Sequence, residues 1–459
     1  MREGVVMTTR LSALDSAFLA VETPTAHMHV GWAAVHDPPA EGPRPSFEEL
    51  RDHIGSRIGR APRYRQLLRS VPLGLNAPVW TDDPSFDLTR HVLRSDRKRL
   101  GEVVEACMSE PLRRDRPLWQ IRIAPRLEDG RIGVVGKAHH CMVDGIAAVE
   151  LASMLLDSEP EPPPSEPDSW HPDPAPRPAA LLAGGIADLA RGPIKVATLP
   201  SEAVRSPRRA AELAGRAGRA LRTLLGSVRP AKPVDALNPP SSPRRHLAFL
   251  SRPLDDLRTI KGSFETKLND VVLAASAGAM RRLLERRGQR PIPLKTMVPV
   301  SVRERDSAGE LGNRISFMFV DLPCDEPDPA RRVRRIHAET SRRKLAGEPE
   351  GANDIVRSIA RVPMPVQGAV SRFVASPRSF NLVVSNIPGL RERLYLRGCE
   401  LKEAYPVVPL ADRHALSIGV TNVGDGLYFG VYADRESLPD ADAVARDLEE
   451  SIEELLGAI

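Results

Sequence analysis

The chain has 459 residues, 65 Lys and Arg against 60 Asp and Glu for a net charge of +5, and 41% hydrophobic content. That length exceeds one ordinary core and favours two domains with connections; 4% aromatic residues leave little stacking surface for single-stranded nucleic acid, and the small surplus of charge restricts anionic partners to local contacts. Cys107, Cys141, Cys324 and Cys399 are too scattered for a disulfide framework or a metal pattern, the opening residues hold no apolar run, and no stretch nears the length of a membrane span. The expectation is a cytosolic protein with no usual export signal and no membrane-spanning segment.

In chain order, Met28 to Val35 reads as a strand and Phe47 to Ile58 as a helix. Arg131 to Val135 (Arg-Ile-Gly-Val-Val) reads as a buried strand, and Ile146, Val149, Ala152 and Leu156 recur at helical spacing, so Lys137-Ala138-His139-His140-Cys141-Met142-Val143-Asp144-Gly145 falls in the connection. From Glu159 to Pro178, proline and acidic residues dominate; such a stretch cannot bury enough apolar surface to form a core and reads as a linker. Between Ser201 and Lys232, eight basic residues face only Glu202 and Glu212, beside an apolar set that includes Leu213, Leu221 and Leu225. This composition fits either a basic amphipathic helix resting on anionic lipid or a solvated connecting helix packed on the body. The boundaries expected are 1–158, 159–243 and 244–459.

In the last of these regions, Asn269 stands where a helix N-cap belongs, with Val272, Ala275, Ala279 and Leu283 on one face and Gly288 as the stop. Strands are expected over Lys295 to Val302, Ile315 to Leu322, Phe380 to Ser385, Ala415 to Thr421 and Leu427 to Ala433, the last two joined by a hairpin at Asn422 to Gly426. A closing helix from Leu438 onward turns Val444, Leu448, Ile452 and Leu455 inward.

The histidine pair carries the chemistry. An imidazole of ordinary pKa near 6.5 is mostly neutral at pH 7 yet accepts a proton readily, which suits His140 as a base that activates an alcohol for attack on a thioester. Asp144 can hold the loop by a charge-assisted hydrogen bond or simply cap the next helix, Gly145 tolerates unusual dihedrals and close backbone approach, and His139 packs or hydrogen-bonds locally. Adjacent histidines point opposite ways on a strand, and neither His-Glu-x-x-His nor Cys-x-x-Cys occurs, so no metal site is expected.

The string His-His-x-x-x-Asp-Gly occurs together with Leu11-Ser12-Ala13-Leu14-Asp15-Ser16-Ala17-Phe18-Leu19, Pro117-Leu118-Trp119, Leu268-Asn269-Asp270-Val271-Val272-Leu273-Ala274, Val298-Pro299-Val300-Ser301-Val302-Arg303 and Asn381-Leu382-Val383-Val384-Ser385-Asn386-Ile387-Pro388-Gly389. In that order, over nearly the whole chain, these stretches resemble the bacterial wax ester synthase/diacylglycerol acyltransferase family. Two departures stand out: Gln120 follows Pro-Leu-Trp where an acidic residue is usual, and Leu390 follows Asn-Ile-Pro-Gly where a proline is common. They bear on substrate preference more than on reaction type.

The resemblance implies an α/β fold of two chloramphenicol acetyltransferase-like sandwich domains with mixed sheets, joined by the long helical and Pro-rich connection and facing each other across a tunnel. It implies an acyl-CoA-dependent O-acyltransferase that makes triacylglycerol from diacylglycerol, wax esters from long-chain alcohols, or both. Acyl-CoA is a substrate, and no cofactor is implied. The site expected from it is His140, His139, Asp144 and Gly145 for catalysis, with Asn269, Asp270, Ser385, Asn386 and Trp119 toward substrate; Asn269 and Asp270 either shape the site or hold the two halves in register, Trp119 packs as core near the motif with its indole nitrogen needing one partner, and Ser385 and Asn386 are candidates for the oxyanion region. Partners are acyl-CoA, diacylglycerol or a long-chain alcohol, and an anionic membrane or lipid-inclusion surface, with no nucleic acid. The alternatives are a condensation-type acyltransferase taking a carrier-protein thioester and a catalytically silent lipid-surface protein.

Overall fold

The computed structural model describes residues 9–74, 76–143, 153–163, 168–187, 230–301, 315–347, 364–390 and 392–459. Asp144, Gly145, Arg303 and the stretch from 188 to 229 lie outside the described residues, so the expectations for the motif loop and most of the basic segment are not addressed by it.

Two six-stranded sheets dominate. The first runs in the order β12 (Tyr395–Leu396), β13 (Cys399–Val407), β2 (His29–Asp37), β7 (Ile132–His139), β6 (Trp119–Ala124) and β5 (Val92–Arg94). The second runs β10 (Ile315–Leu322), β9 (Leu294–Ser301), β11 (Leu382–Asn386), β14 (Leu416–Val423), β15 (Gly426–Asp434) and β8 (Arg245–Pro253). Both sheets are mixed, as expected: β5 is parallel to β6, and β11 is parallel to both β9 and β14, among antiparallel neighbours. A small third sheet joins β1 (Thr9–Arg10), β4 (Val79–Asp82) and β3 (Gln66–Arg69).

The sheets do not follow the two halves of the chain strictly. β12 and β13 belong by sequence to the C-terminal half, yet β13 pairs antiparallel with β2, with Tyr405 opposite Ala33, and completes the N-terminal sheet. Tyr405 then meets Phe249 and Tyr428 of the second sheet edge to face, at 4.8 and 5.3 Å between ring centroids. An exchanged strand ties the lobes together through backbone hydrogen bonds and aromatic burial, so a cut at residue 244 separates less than the linker composition suggests.

Helices pack on the second sheet. α4 (Leu254–Ser263) and α5 (Leu268–Arg286) pack with α8 (Ala441–Leu456), and the inward residues expected for the closing helix, Val444, Leu448, Ile452 and Leu455, are all 0% exposed. Each such side chain contributes roughly 1.5–3 kcal/mol of burial. Gly278 of α5 lies against Arg332 and Ser451, where any Cβ would collide, so the helix crossing requires glycine there. The expected Asn269 cap is corrected: the N-cap is Lys267, and Asp270, at the third helical position, accepts the Lys267 N–H at 3.1 Å. The stop is as expected, Gly288 taking a φ of 67° while Gln289 N–H returns to the Leu284 carbonyl at 2.8 Å.

The two-residue hairpin forms as expected, with Val423 opposite Gly426 and Gly424 at a φ of 55°. The proline-rich stretch differs from a free linker. Asp168 accepts from Arg65 Nη1 at 3.2 Å, the Trp170 ring lies 4.7 Å from the same guanidinium, and Asp173 N–H donates to Asp82 at 3.1 Å. It builds no core of its own but docks through charge and cation–π contacts onto an existing surface.

Candidate active site

Strand pairing delivers the histidines. β7 runs through His139, opposite His29 of β2, and His140 follows at once, its N–H donating to the Met28 carbonyl at 2.9 Å. His139 therefore ends the strand, where the sequence placed it in the connection. Alternation then sends the two rings to opposite sides.

His139 is 1% exposed and held from two directions. Its Nδ1 accepts the Cys141 N–H at 3.1 Å, which places the proton on Nε2, and Nε2 lies 3.7 Å from Glu22 Oε1. Burial first, then the positive Arg114 and the neighbouring His140, push its pKa well below 6.5, so the ring stays neutral. Glu22 pairs with Arg114, while burial raises its own carboxyl. His139 is thus a positioning residue for the turn that presents His140.

His140 lines an apolar cavity of about 220 Å³ walled from both lobes. From the first lobe come Phe18 and Val21 of α1 (Ala13–Val21) and Val30 of β2; from the second come Met297 and Pro299 of β9, Ser385 of β11, and Val370 and Val374 of α7 (Met364–Val374). α6 (Pro329–Leu345) lies elsewhere, packed on α5. Phe18 stacks on His140 with ring centroids 3.7 Å apart and planes 19° from parallel. No role was assigned to Phe18 from sequence, although an aromatic inside the N-terminal motif at a helical position was the available signal.

The remaining expected residues divide. Ser385, opposite Gly419 in the parallel β11–β14 pair, lines the His140 cavity; Asn386, one residue on and half-buried, is not part of its wall. Trp119 is 3% exposed, donates from Nε1 to the Tyr64 carbonyl at 2.7 Å and stacks on His91 at 4.5 Å, bordering a small adjoining space and not lining this cavity itself. Asn269 sits half-buried in the first turn of α5, and Asp270, fully buried, accepts from Thr340 Oγ1 at 2.8 Å and pairs with His337 Nδ1 at 2.7 Å. Neither borders the cavity; Asp270 pins α5 to α6. Among the described residues, no cluster of His, Cys, Asp and Glu is arranged to hold a metal ion.

Two mixed sheets meeting over an apolar cavity, with a strand-end histidine motif at its wall, define an acyltransferase of the chloramphenicol acetyltransferase-like class. The model of the wax ester synthase/diacylglycerol acyltransferase catalytic domain matches residues 11–272, and that of the family's C-terminal domain matches residues 311–456. The chain belongs to the wax ester synthase/diacylglycerol acyltransferase family. It is 34% identical to a probable diacylglycerol O-acyltransferase of Mycobacterium tuberculosis, over 97% of this chain and 95% of that protein. A wax ester synthase/diacylglycerol acyltransferase from Marinobacter aquaeolei has the same fold, with a TM-score of 0.69 and 26% identity over 98% of this chain and 99% of that one. The first condensation domain of a calcium-dependent antibiotic synthetase matches with a TM-score of 0.61 at 16% identity, covering 98% of this chain and 96% of that domain, a likeness of fold alone.

Proposed function

We propose that the protein transfers an acyl group from acyl-CoA to the hydroxyl of diacylglycerol or of a long-chain alcohol, with His140 as general base. The observation that carries this reading is the cavity: His140 reaches a largely apolar space walled from both lobes, suited to lipid chains. The imidazole takes the acceptor's proton as the hydroxyl oxygen bonds to the thioester carbon. The carbonyl electron pair moves to oxygen; its return breaks the C–S bond, and the departing thiolate recovers the proton from the imidazolium. Ser385 Oγ, in the same wall, is the proposed donor to the developing oxyanion, with Asn386 behind it.

Cys141 takes no part as a nucleophile, since burial raises its thiol far above the usual range. Asp144 and Gly145 maintain the loop. Apolar walls exclude water and so favour esterification over thioester hydrolysis. Acyl-CoA is consumed as a substrate, and the reaction needs no bound cofactor or metal.

Among the described residues, no helix is long and apolar enough to cross a membrane. We place the protein peripherally, at the inner membrane face or on lipid inclusions. The insolubility of its substrates supports this, as does Phe373, 66% exposed on the helix that walls the cavity. The basic stretch from 201 to 232 is a second proposed anchor.

The test is release of free CoA and formation of labelled ester from radiolabelled acyl-CoA, offered diacylglycerol, hexadecanol or water. His140→Ala should abolish ester formation while preserving association with lipid. Ester synthesis at the wild-type rate by that variant would remove His140 from the mechanism.

A further inference from the structure

His36, in β2, is 1% exposed, and neither ring nitrogen has a hydrogen-bond partner among the described residues. Buried polar side chains are nearly always paired, so this ring calls for a physical cause. Burial alone lowers its pKa to about 4, which leaves the imidazole neutral, with one N–H to donate and one bare nitrogen to accept.

The ring borders an open space, although both nitrogens are covered by neighbouring side chains that must shift to admit a partner. His36 lines a second, narrow space between the sheets, walled mostly by apolar side chains such as Trp32, Ile54, Leu396 and Leu401, with Ser153, Thr421 and Asn422 also at its lining. That channel shares Val30 and Ile387 with the cavity of His140, so the two spaces abut. Val30 and His36 lie on the same strand, and the six residue steps between them, at about 3.3 Å each, span about 20 Å. A buried imidazole thus borders a mostly apolar channel, a long-chain length away from the reacting centre.

We propose that this channel receives the far part of a substrate's aliphatic chain, and that His36 hydrogen-bonds an uncharged oxygen, a hydroxyl foremost, carried well down that chain. The proposal rests on ester synthesis at His140 and deepens it, naming an oxygenated long chain as the preferred class. A hydroxyl fits either nitrogen, accepting from the N–H or donating to the bare nitrogen. A carboxylate does not fit, because the walls offer no counter-charge to a buried anion.

The test compares initial rates of the full chain with hexadecanoyl-CoA and with analogues hydroxylated at mid-chain or at the terminal carbon, each with hexadecanol. A parallel series pairs hexadecanoyl-CoA with hexadecanol or its terminal diol, which tells a donor chain from an acceptor chain. The wild type should prefer one hydroxylated chain, by kcat/KM, about tenfold more than His36→Leu does, and His36→Gln should restore the preference. Equal ratios in wild type and His36→Leu, with plain-chain turnover intact, would overturn the proposal and leave the ring to an ordered water. If no pair of substrates yields ester, the parent reading fails, and equilibrium binding of plain and hydroxylated acyl-CoA to the wild type decides His36 separately: equal affinities overturn it. The same binding comparison decides if His36→Leu does not fold.

Discussion

The Phe18 ring covers one face of the His140 imidazole at 3.7 Å, joining the N-terminal helix to the proposed base. α1 also packs on α7 from the other lobe, and the Arg372 guanidinium donates to the Ala20 carbonyl. The plane of the base is therefore set by a helix that both lobes hold.

Replacing Phe18 with Leu keeps an apolar wall but removes the stack. Pairs of this kind contribute about 0.5–1.5 kcal/mol beyond area, so kcat for ester formation should fall about 2- to 10-fold with little change in KM for acyl-CoA. Phe18→Tyr should restore most of the rate. Steady-state kinetics at saturating acceptor checks this, and an unaltered kcat in Phe18→Leu would show that the ring needs no such support.

Asp270 should matter for folding rather than for turnover. Its carboxylate takes hydrogen bonds from the Lys267 N–H and Thr340 and pairs with His337, in a fully buried position. Asp270→Ala leaves those groups without their partner, and about 2–4 kcal/mol of stability should go, read as a lower urea midpoint. Activity per folded molecule should stay within about twofold; a large loss of kcat at full folding would instead tie the residue to the chemistry.

Gly389, in the turn after β11, has no room for a Cβ, which would strike the backbone of Asn422. The Leu390 N–H meanwhile donates to the Asn422 carbonyl at 2.9 Å. Gly389→Ala must push the turn off β14 and shift Ile387 and Leu390, both in the channel wall, at a cost of about 1–3 kcal/mol. Chemical denaturation gives the stability, and KM across acyl chain lengths should show long chains penalised more than short ones.

Stability should fall on mild acidification. Burial depresses His29 and His139 well below their ordinary value, and His36 and His53 to about 4. Above about pH 7.5 these rings are neutral both folded and unfolded, and they contribute nothing to the pH dependence. Below it, the unfolded chain binds protons that the folded chain refuses, so stability drops as pH falls toward 4, with His36 alone accounting for about 2 kcal/mol by about pH 5. Urea unfolding at about pH 7 and about pH 5 measures the slope, and His36→Leu should flatten it.

Much was legible before the coordinates because it depends on local periodicity and on short strings. The strand over Ile315 to Leu322, the hairpin at Gly424 and the inward face of the closing helix follow from alternation, a left-handed turn residue and 3.6-residue spacing. The motif strings identified the family, and His140 was singled out by its own chemistry. What pairs with what across hundreds of residues has no such local trace. Only the tertiary structure decided that β13 leaves its own half for the edge of β2, because strand exchange is settled by which sheet can bury Tyr405 and Val407. It alone set Ser385 in the same cavity wall as His140, Phe18 over its ring, Asp270 against α6 and His36 in the channel wall. Sequence names the groups able to move a proton or bind an oxygen; long-range packing fixes which of them share a cavity and which are spent holding helices together.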